Sequence, residues 1–146
     1  MTREEMVTRW EARDAADAYI LGFVRKGMLY AIRVNRIPED AIKLNISSKD
    51  KHGNTMQTLR LKLSNALQDL LIAQGATLLG GEELVAKEAK MNSGEKFEKL
   101  IIEWLTGKRW KKDSTPYWLA GDVKVNGEQL QIKFNNATLT TSKALG

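Results

Sequence analysis

The Asn-Gly dipeptide at residues 126–127 constrains the fold more than any other feature of this sequence. It stands between two runs in which apolar and polar residues alternate, 117–125 and 128–134. Both residues readily adopt the positive φ of a tight two-residue turn, so residues 117–134 are predicted to form a β-hairpin. With this turn, the predicted cross-strand partners are Val125 with Glu128, Lys124 with Gln129, Val123 with Leu130 and Asp122 with Gln131.

This register gives the hairpin one polar and one apolar face, because residues directly opposite each other on antiparallel strands lie on the same side. The polar face holds Asp122, Lys124, Gln129, Gln131 and Lys133. The apolar face holds Val123, Val125, Leu130, Ile132 and Phe134. The apolar face is expected to pack on a helix predicted at residues 93–106, which carries an apolar stripe. The polar face then lies across the sheet from that helix.

The rest of the chain has the alternating and helical periods of a mixed protein. The predicted elements, in order, are a helix at 2–17, strands at 19–24, 28–35, 41–48 and 59–63, and a helix between Ser64 and Gly75. Gly80-Gly81 is interpreted as a boundary. Residues 1–80 are expected to form an N-terminal lobe with a helix, a β-meander and a closing helix, and residues 81–146 a second lobe. The fold class predicted is α+β, or α/β, with a mixed sheet and flanking helices.

The composition narrows the classes of function. A formal net charge of +5 over 146 residues is compatible with nucleic acid as a partner, although many small basic proteins bind none. The absence of cysteine excludes disulfides, zinc fingers and cysteine nucleophiles, and it fits a reducing cytoplasm. The N-terminal residues are charged, with no signal-like apolar segment, and no apolar run approaches the ~18 residues of a membrane span. A cytoplasmic location and no membrane partner are expected.

The polar face of the hairpin carries groups suited to phosphodiester chemistry. The Asp122 carboxylate is a hard oxygen ligand of the kind that Mg²⁺ or Mn²⁺ takes, and the Gln131 side-chain oxygen is a weaker one beside it. A main-chain carbonyl such as that of Ile132 can complete the shell. Lys133 can orient an attacking water or stabilise the charge that develops on phosphorus. The spacing therefore indicates metal-dependent hydrolysis.

The order Gly121-Asp122, hairpin, Gln131-Ile132-Lys133 resembles the PD-(D/E)xK nuclease superfamily, and Gly94 to Glu98 resembles the first core helix of that superfamily. Holliday-junction resolvases and several restriction endonucleases carry a segment of this kind. The resemblance covers residues 92–135. It implies a restriction-endonuclease-like α-β-β-β-α-β core, nuclease activity on DNA and a third metal ligand, Glu98. The alternative for Glu98 is a solvated helix carboxylate.

Two departures from the superfamily pattern matter. Gln131 stands where Glu or Asp is usual; some members use Gln there, but the change removes a negative charge and should weaken metal binding. Only 13 residues follow Lys133. Either the N-terminal strands complete the sheet, or the core is reduced and inactive.

Several further residues are candidates for binding nucleic acid: Lys108, Arg109, Lys111, Lys112, Lys124 and Asn135. The first four surround Trp110 and precede the hairpin; they are otherwise a solvated loop. Asn135 contacts backbone phosphate or simply ends the strand.

The preferred function is a Mg²⁺- or Mn²⁺-dependent endonuclease acting on DNA, with Asp122, Gln131, Glu98 and Lys133 as the catalytic group. The runner-up is an inactive nuclease-like module that binds nucleic acid, and the third alternative is an interaction or inhibitor protein. The choice between DNA and RNA is left open, as is the oligomeric state, with which a homodimer is compatible. The small basic chain would suit a phage or mobile-element gene.

Overall fold

The computed structural model describes residues 2–14, 16–49, 52–53, 55–81, 93–107, 122–137 and 139. For residues 47–49, 55–56, 93–99 and 122 it describes the backbone only. The helices are α1 (Arg3–Arg13), α2 (Asn65–Ala73) and α3 (Ser93–Thr106), with a 3-10 turn at Glu39–Ala41. The strands are β1 (Ala18–Arg25), β2 (Met28–Val34), β3 (Ile42–Lys49), β4 (Thr55–Leu61), β5 (Thr77–Gly80), β6 (Asp122–Val125) and β7 (Glu128–Phe134).

Five strands form the main sheet, in the order β5-β2-β1-β7-β6. β1 pairs with β7 in parallel, and the other neighbours are antiparallel. β1 lies at the centre and is buried from Ala18 to Phe23, as expected of a strand covered on both faces. The predicted α+β class with a mixed sheet and flanking helices is confirmed. The sheet combines β1, β2 and β5, which precede residue 81, with β6 and β7, which follow it.

β3 and β4 form a separate two-stranded sheet, so the expected continuous meander of four strands is interrupted after β2. The connection from β2 contains Pro38 and the 3-10 turn, and it buries Ile37 and Ala41 in the core. This turn redirects the chain out of the main sheet. Leu59 and Leu61 of β4 then pack against one face of that sheet. β5, which pairs with β2, was not predicted.

Two apolar layers cover the main sheet. On one face, Tyr19, Leu21 and Phe23 of β1 pack with side chains from α1, α2 and the β3–β4 sheet, including Met6 and Leu71. On the other face, Ala18 and Ile20 pack with α3. None of the helices in the described ranges has the length and hydropathy that a membrane crossing requires.

Gly22 of β1 lies where α3 crosses the sheet. A Cβ at this position would stand 2.7 Å from Ile101 Cδ1 and 2.8 Å from Phe134 Cδ2, both closer than carbon atoms pack. The glycine therefore lets the α3 side chains approach the backbone of the central strand.

Local signals set the ends of α1 and α2. The Thr2 hydroxyl accepts a hydrogen bond from the Glu5 amide, and the Ser64 hydroxyl accepts one from the Leu67 amide. Gly75, with φ of +110°, follows the last residues of α2 as predicted. α1 ends at Arg13, four residues before the predicted end, because Asp14 is extended.

Candidate active site on the β6–β7 hairpin

The predicted turn and register of the hairpin are confirmed. Asn126 and Gly127 have φ of 51° and 81°, the positive values of a type I′ turn. The four predicted pairs are all present, from Val125 with Glu128 to Asp122 with Gln131. The apolar face packs on α3 as expected: Val123, Leu130 and Ile132 are buried in one cluster with Ile101 and Ile102.

Gln131 and Lys133 lie on the face of the sheet opposite to α3. In the parallel pairing with β1, Gln131 is beside Tyr19 and Lys133 is beside Leu21. Tyr19 and Leu21 belong to the core on the side of α1 and β4. Both polar side chains are half-buried at the border of that core, and Lys124 on β6 is exposed. The register places Asp122 opposite Gln131; its backbone alone is described.

The backbone around Lys133 is anchored on both sides. Ile132 is buried against α3, and the Phe134 ring lies over Gly22. The Asn135 amide donates to the Gly22 carbonyl at 2.8 Å. A side chain whose neighbours are held by packing has little freedom to shift its Cα, which is the preorganisation that a positioned cation needs.

The Lys133 side chain is half-buried and forms no hydrogen bond or ion pair with a side chain that the structure describes; the Asp122 side chain, on the same face of the register, is not among those. Cations of this kind stabilise the negative charge that develops when phosphate is attacked.

The register brings two of the three expected metal ligands, Asp122 and Gln131, to paired backbone positions. Mg²⁺ is usually bound by one or two carboxylates and keeps several waters. Asp122 supplies one carboxylate and Gln131 one amide oxygen on paired positions. Among the described side chains, no three His, Asp or Glu residues are grouped closely enough to hold a metal, and neither Asp122 nor Glu98 is among those side chains.

Glu98 belongs to α3, which packs on the apolar face of the hairpin. Its helix therefore lies across the sheet from Gln131 and Lys133, and the Glu98 side chain is outside the described part. The proposed basic segment, Lys108, Arg109, Lys111 and Lys112, also lies outside the described residues.

Asn135 has a structural contact that supports its interpretation as a strand end. Its side-chain oxygen accepts a hydrogen bond from the Leu63 amide at 2.9 Å, and the following residues run along β4. The contact joins the end of β7 to the smaller sheet.

Asp17 was missed in the sequence because it was assigned to the first helix. It lies at the start of the β1–β7 pairing: its amide donates to the Gln129 carbonyl, and its carboxylate accepts from the Gln129 amide, both at 2.8 Å. These two bonds clamp the parallel strands that place Gln131 beside β1. A short-range sequence pattern does not reveal a contact over 112 residues.

A groove of about 570 Å³ lies elsewhere, between α1 and the β2–β3 connection. Its lining includes Arg3, Glu11, Arg36 and Glu39, with charges of both signs. It contains neither Gln131 nor Lys133, and its mixed charge gives no clear ligand class. The chemistry-bearing residues point instead to the open face of β6–β7.

Comparison with protein-family models, with curated proteins and with solved structures gives no match for this chain.

Proposed function

We propose that the chain is a metal-dependent nuclease that hydrolyses phosphodiester bonds in DNA, with its active site on the polar face of β6–β7. The observation that carries the proposal is the pairing of Asp122 with Gln131, with Lys133 two residues further along β7. By this register a carboxylate position on β6 faces the same side as an amide and a cation on the neighbouring strand β7. The resemblance to PD-(D/E)xK nucleases adds the expectation of the reaction class.

In this proposal Asp122 and Gln131 hold Mg²⁺ or Mn²⁺, which supplies Lewis-acid polarisation of the phosphate. Lys133 holds the attacking water or the non-bridging phosphate oxygen through its ammonium group. None of the described carboxylates forms an ion pair with Lys133, and the Asp122 carboxylate expected beside it would be shared with the metal in this proposal. No covalent intermediate with the protein is required.

The test is cleavage of circular and branched DNA in Mg²⁺ and in Mn²⁺ by the wild type, Asp122→Ala and Lys133→Ala. Loss of one group that stabilises developing charge typically lowers the rate about 10²- to 10³-fold, and this loss is expected of Lys133→Ala. Lys26→Asn is the control, since it removes the same charge from the exposed β1–β2 turn. Asn tolerates the positive φ of 51° there. Cleavage that survives both active-site substitutions would exclude this site.

Gln131→Glu tests the metal-binding part of the proposal by adding a negative charge, which should strengthen metal binding. An added unit charge about 4 Å from a divalent ion is worth roughly 2 kcal/mol even in a water-like medium, or more than tenfold in affinity. The substitution is therefore expected to lower the Kd for Mn²⁺ by about tenfold or more, and so to give a larger rise in melting temperature at the same Mn²⁺ concentration. An equal rise in the two proteins over a series of Mn²⁺ concentrations would argue against metal at this position.

The position of α3 makes a further distinction. If the metal lies on the polar face, Glu98→Ala should reduce cleavage less than Asp122→Ala, because its helix packs on the other face. An equal loss in both variants would instead support Glu98 as the third ligand.

The second candidate is an inactive module that binds nucleic acid, and the neutral Gln131 favours it. In that case the wild type binds DNA but neither cleaves it nor gains thermal stability with Mn²⁺. An interaction or inhibitor protein would show no DNA binding at all.

A further inference from the structure

The β3–β4 sheet has an apolar inner face and a basic outer face. Its register pairs Ile42 with Leu61 and Leu44 with Leu59 on the side that packs into the core. The alternate positions face outward, and they include Lys43 and Arg60, which are paired directly, and Lys62 two residues beyond Arg60. The outer face therefore carries three cations within two residue positions along the strands.

These cations have no described counter-charge. Lys43 lies directly opposite Arg60, an arrangement in which like charges destabilise a sheet. Arg60 Nε is buried from solvent and has no hydrogen-bond partner. No ion pair joins Lys43, Arg60 or Lys62 to a carboxylate within the described ranges. Buried polar groups are mostly hydrogen-bonded in folded proteins, so the Arg60 guanidinium is unusual in this respect.

The ribbon formed by β3 and β4 is not covered on its inner side at Ile46. Ile46 is on the inner side in register with Gln57, yet 62% of its surface is exposed. The distal part of the ribbon thus extends beyond the main sheet. A two-stranded β-ribbon is narrow enough to enter the major groove of B-DNA, which is about 12 Å wide. Basic side chains on its outer face can contact the phosphates that border the groove.

The basic face points to the same side of the molecule as the candidate active site. The inner face of β3–β4 packs on the side of the main sheet that carries Lys133, so its outer face points outward on that side. The chain passes directly from one to the other: the Asn136 amide donates to the Leu61 carbonyl at 2.8 Å, three residues after Lys133. A nucleic acid held by the ribbon can therefore extend over β7.

We propose that the outer face of β3–β4 binds the phosphate backbone of duplex nucleic acid and holds it across the β6–β7 face. The identity of this partner rests on the proposed function, because the charges by themselves require only a polyanion. Lys43 and Lys62 supply exposed charges, and the half-buried Arg60 adds its positive charge directly opposite Lys43.

The test measures binding to a short mixed-sequence DNA duplex in EDTA. Fluorescence anisotropy reports the affinity at a series of KCl concentrations. EDTA prevents metal-dependent cleavage, so binding is measured separately from catalysis. Each lost phosphate contact lowers the slope of log K against log salt by about 0.9. The double variant Lys43→Gln/Lys62→Gln should therefore lose about 1.8 in slope and bind more weakly, whereas Lys26→Asn should match the wild type.

Lys43→Glu separates binding from folding. It replaces a repulsive pair with an attractive one opposite Arg60, so its melting temperature should equal or exceed that of the wild type while its DNA affinity falls. The unchanged or higher melting temperature excludes unfolding as the cause of weaker binding.

Wild-type affinity and slope in both the double variant and Lys43→Glu would overturn the proposal, even if the wild type cleaves DNA. Binding to anionic lipid vesicles but not to the duplex would also overturn it. A lower slope in a protein that does not cleave would support this surface while the proposed nuclease function fails.

Discussion

Replacing Gly22 with alanine tests whether close packing of α3 on β1 positions the hairpin. The new methyl group would meet Ile101 Cδ1 at 2.7 Å and Phe134 Cδ2 at 2.8 Å, whereas carbon atoms pack best at about 3.5 to 4.0 Å. Forcing a methyl group into a filled core typically costs about 1 to 3 kcal/mol. Alanine in place of glycine within a strand returns about 0.5 to 1 kcal/mol. The difference between these ranges is a net loss of at most about 2.5 kcal/mol in the free energy of unfolding. Because both contacts would be shorter than 3 Å, we expect a net loss of about 1 to 2 kcal/mol.

Differential scanning calorimetry and urea denaturation measure this loss. For a chain of this size, 1 kcal/mol corresponds to a change in Tm of roughly 2 to 4 °C, so a fall of roughly 2 to 8 °C is expected. Gly81→Ala is the matched control, because a Cβ at Gly81 meets no heavy atom within 4 Å. The control should be neutral or slightly stabilised.

A second substitution tests whether contact with Ile101 causes the loss of stability in Gly22→Ala. Ile101→Val removes the Cδ1 atom that the new methyl group would meet, and on its own it should cost about 0.5 to 1.5 kcal/mol. Combined with Gly22→Ala it should cost less than it does alone, giving a favourable coupling energy. Full stability of Gly22→Ala, or strict additivity of the two changes, would refute the packing argument.

Two further substitutions test contacts that hold the fold. The Arg25 guanidinium donates a hydrogen bond to Asp69 and holds the pKa of that exposed carboxyl below its ordinary value. The pair therefore stabilises the fold at pH values above the ordinary pKa of the carboxyl. This stabilisation is lost as the pH falls through the lowered pKa. Asp69→Asn should therefore be less stable than the wild type in urea at neutral pH and equal to it in strong acid; a difference that persists in acid would contradict this reasoning. Asp17→Ala should cost about 1 to 2 kcal/mol because it leaves the Gln129 amide without its carboxylate partner, and Asp17→Asn should recover most of that loss in the same assay. Equal stability of the two Asp17 variants would mean that the bond contributes nothing.

The sequence by itself determined the β6–β7 hairpin, its turn and its register. Each depends on neighbouring residues: the positive φ of Asn126 and Gly127 sets the turn, and the period of two then assigns Gln131 and Lys133 to one face. The ends of the first two helices at Thr2, Ser64 and Gly75 are equally local.

The buried face of α2 shows where local reasoning is insufficient. The helical spacing of Leu67, Leu70 and Leu71 predicts that these three side chains form the buried stripe. In the structure Leu70 is instead 51% exposed, and Gln68 is only 5% exposed. The Gln68 side chain donates to the Leu63 carbonyl at 2.8 Å, and this bond allows a polar residue to occupy the buried position. The Leu63 carbonyl lies just before the helix, and its position depends on the path of the chain into the helix. The spacing of apolar residues carries no information about that path.

Only the tertiary structure decided which strands lie beside β7. The parallel pairing with β1 joins residues more than 100 positions apart. The separation of β3 and β4 into a second sheet depends on the burial of Ile37 and Ala41 in the core. Turn geometry and side-chain alternation act between near neighbours, whereas these pairings are selected by burial of apolar surface from the whole chain. That selection brings Lys133 and the basic face of β3–β4 to the same side of the protein.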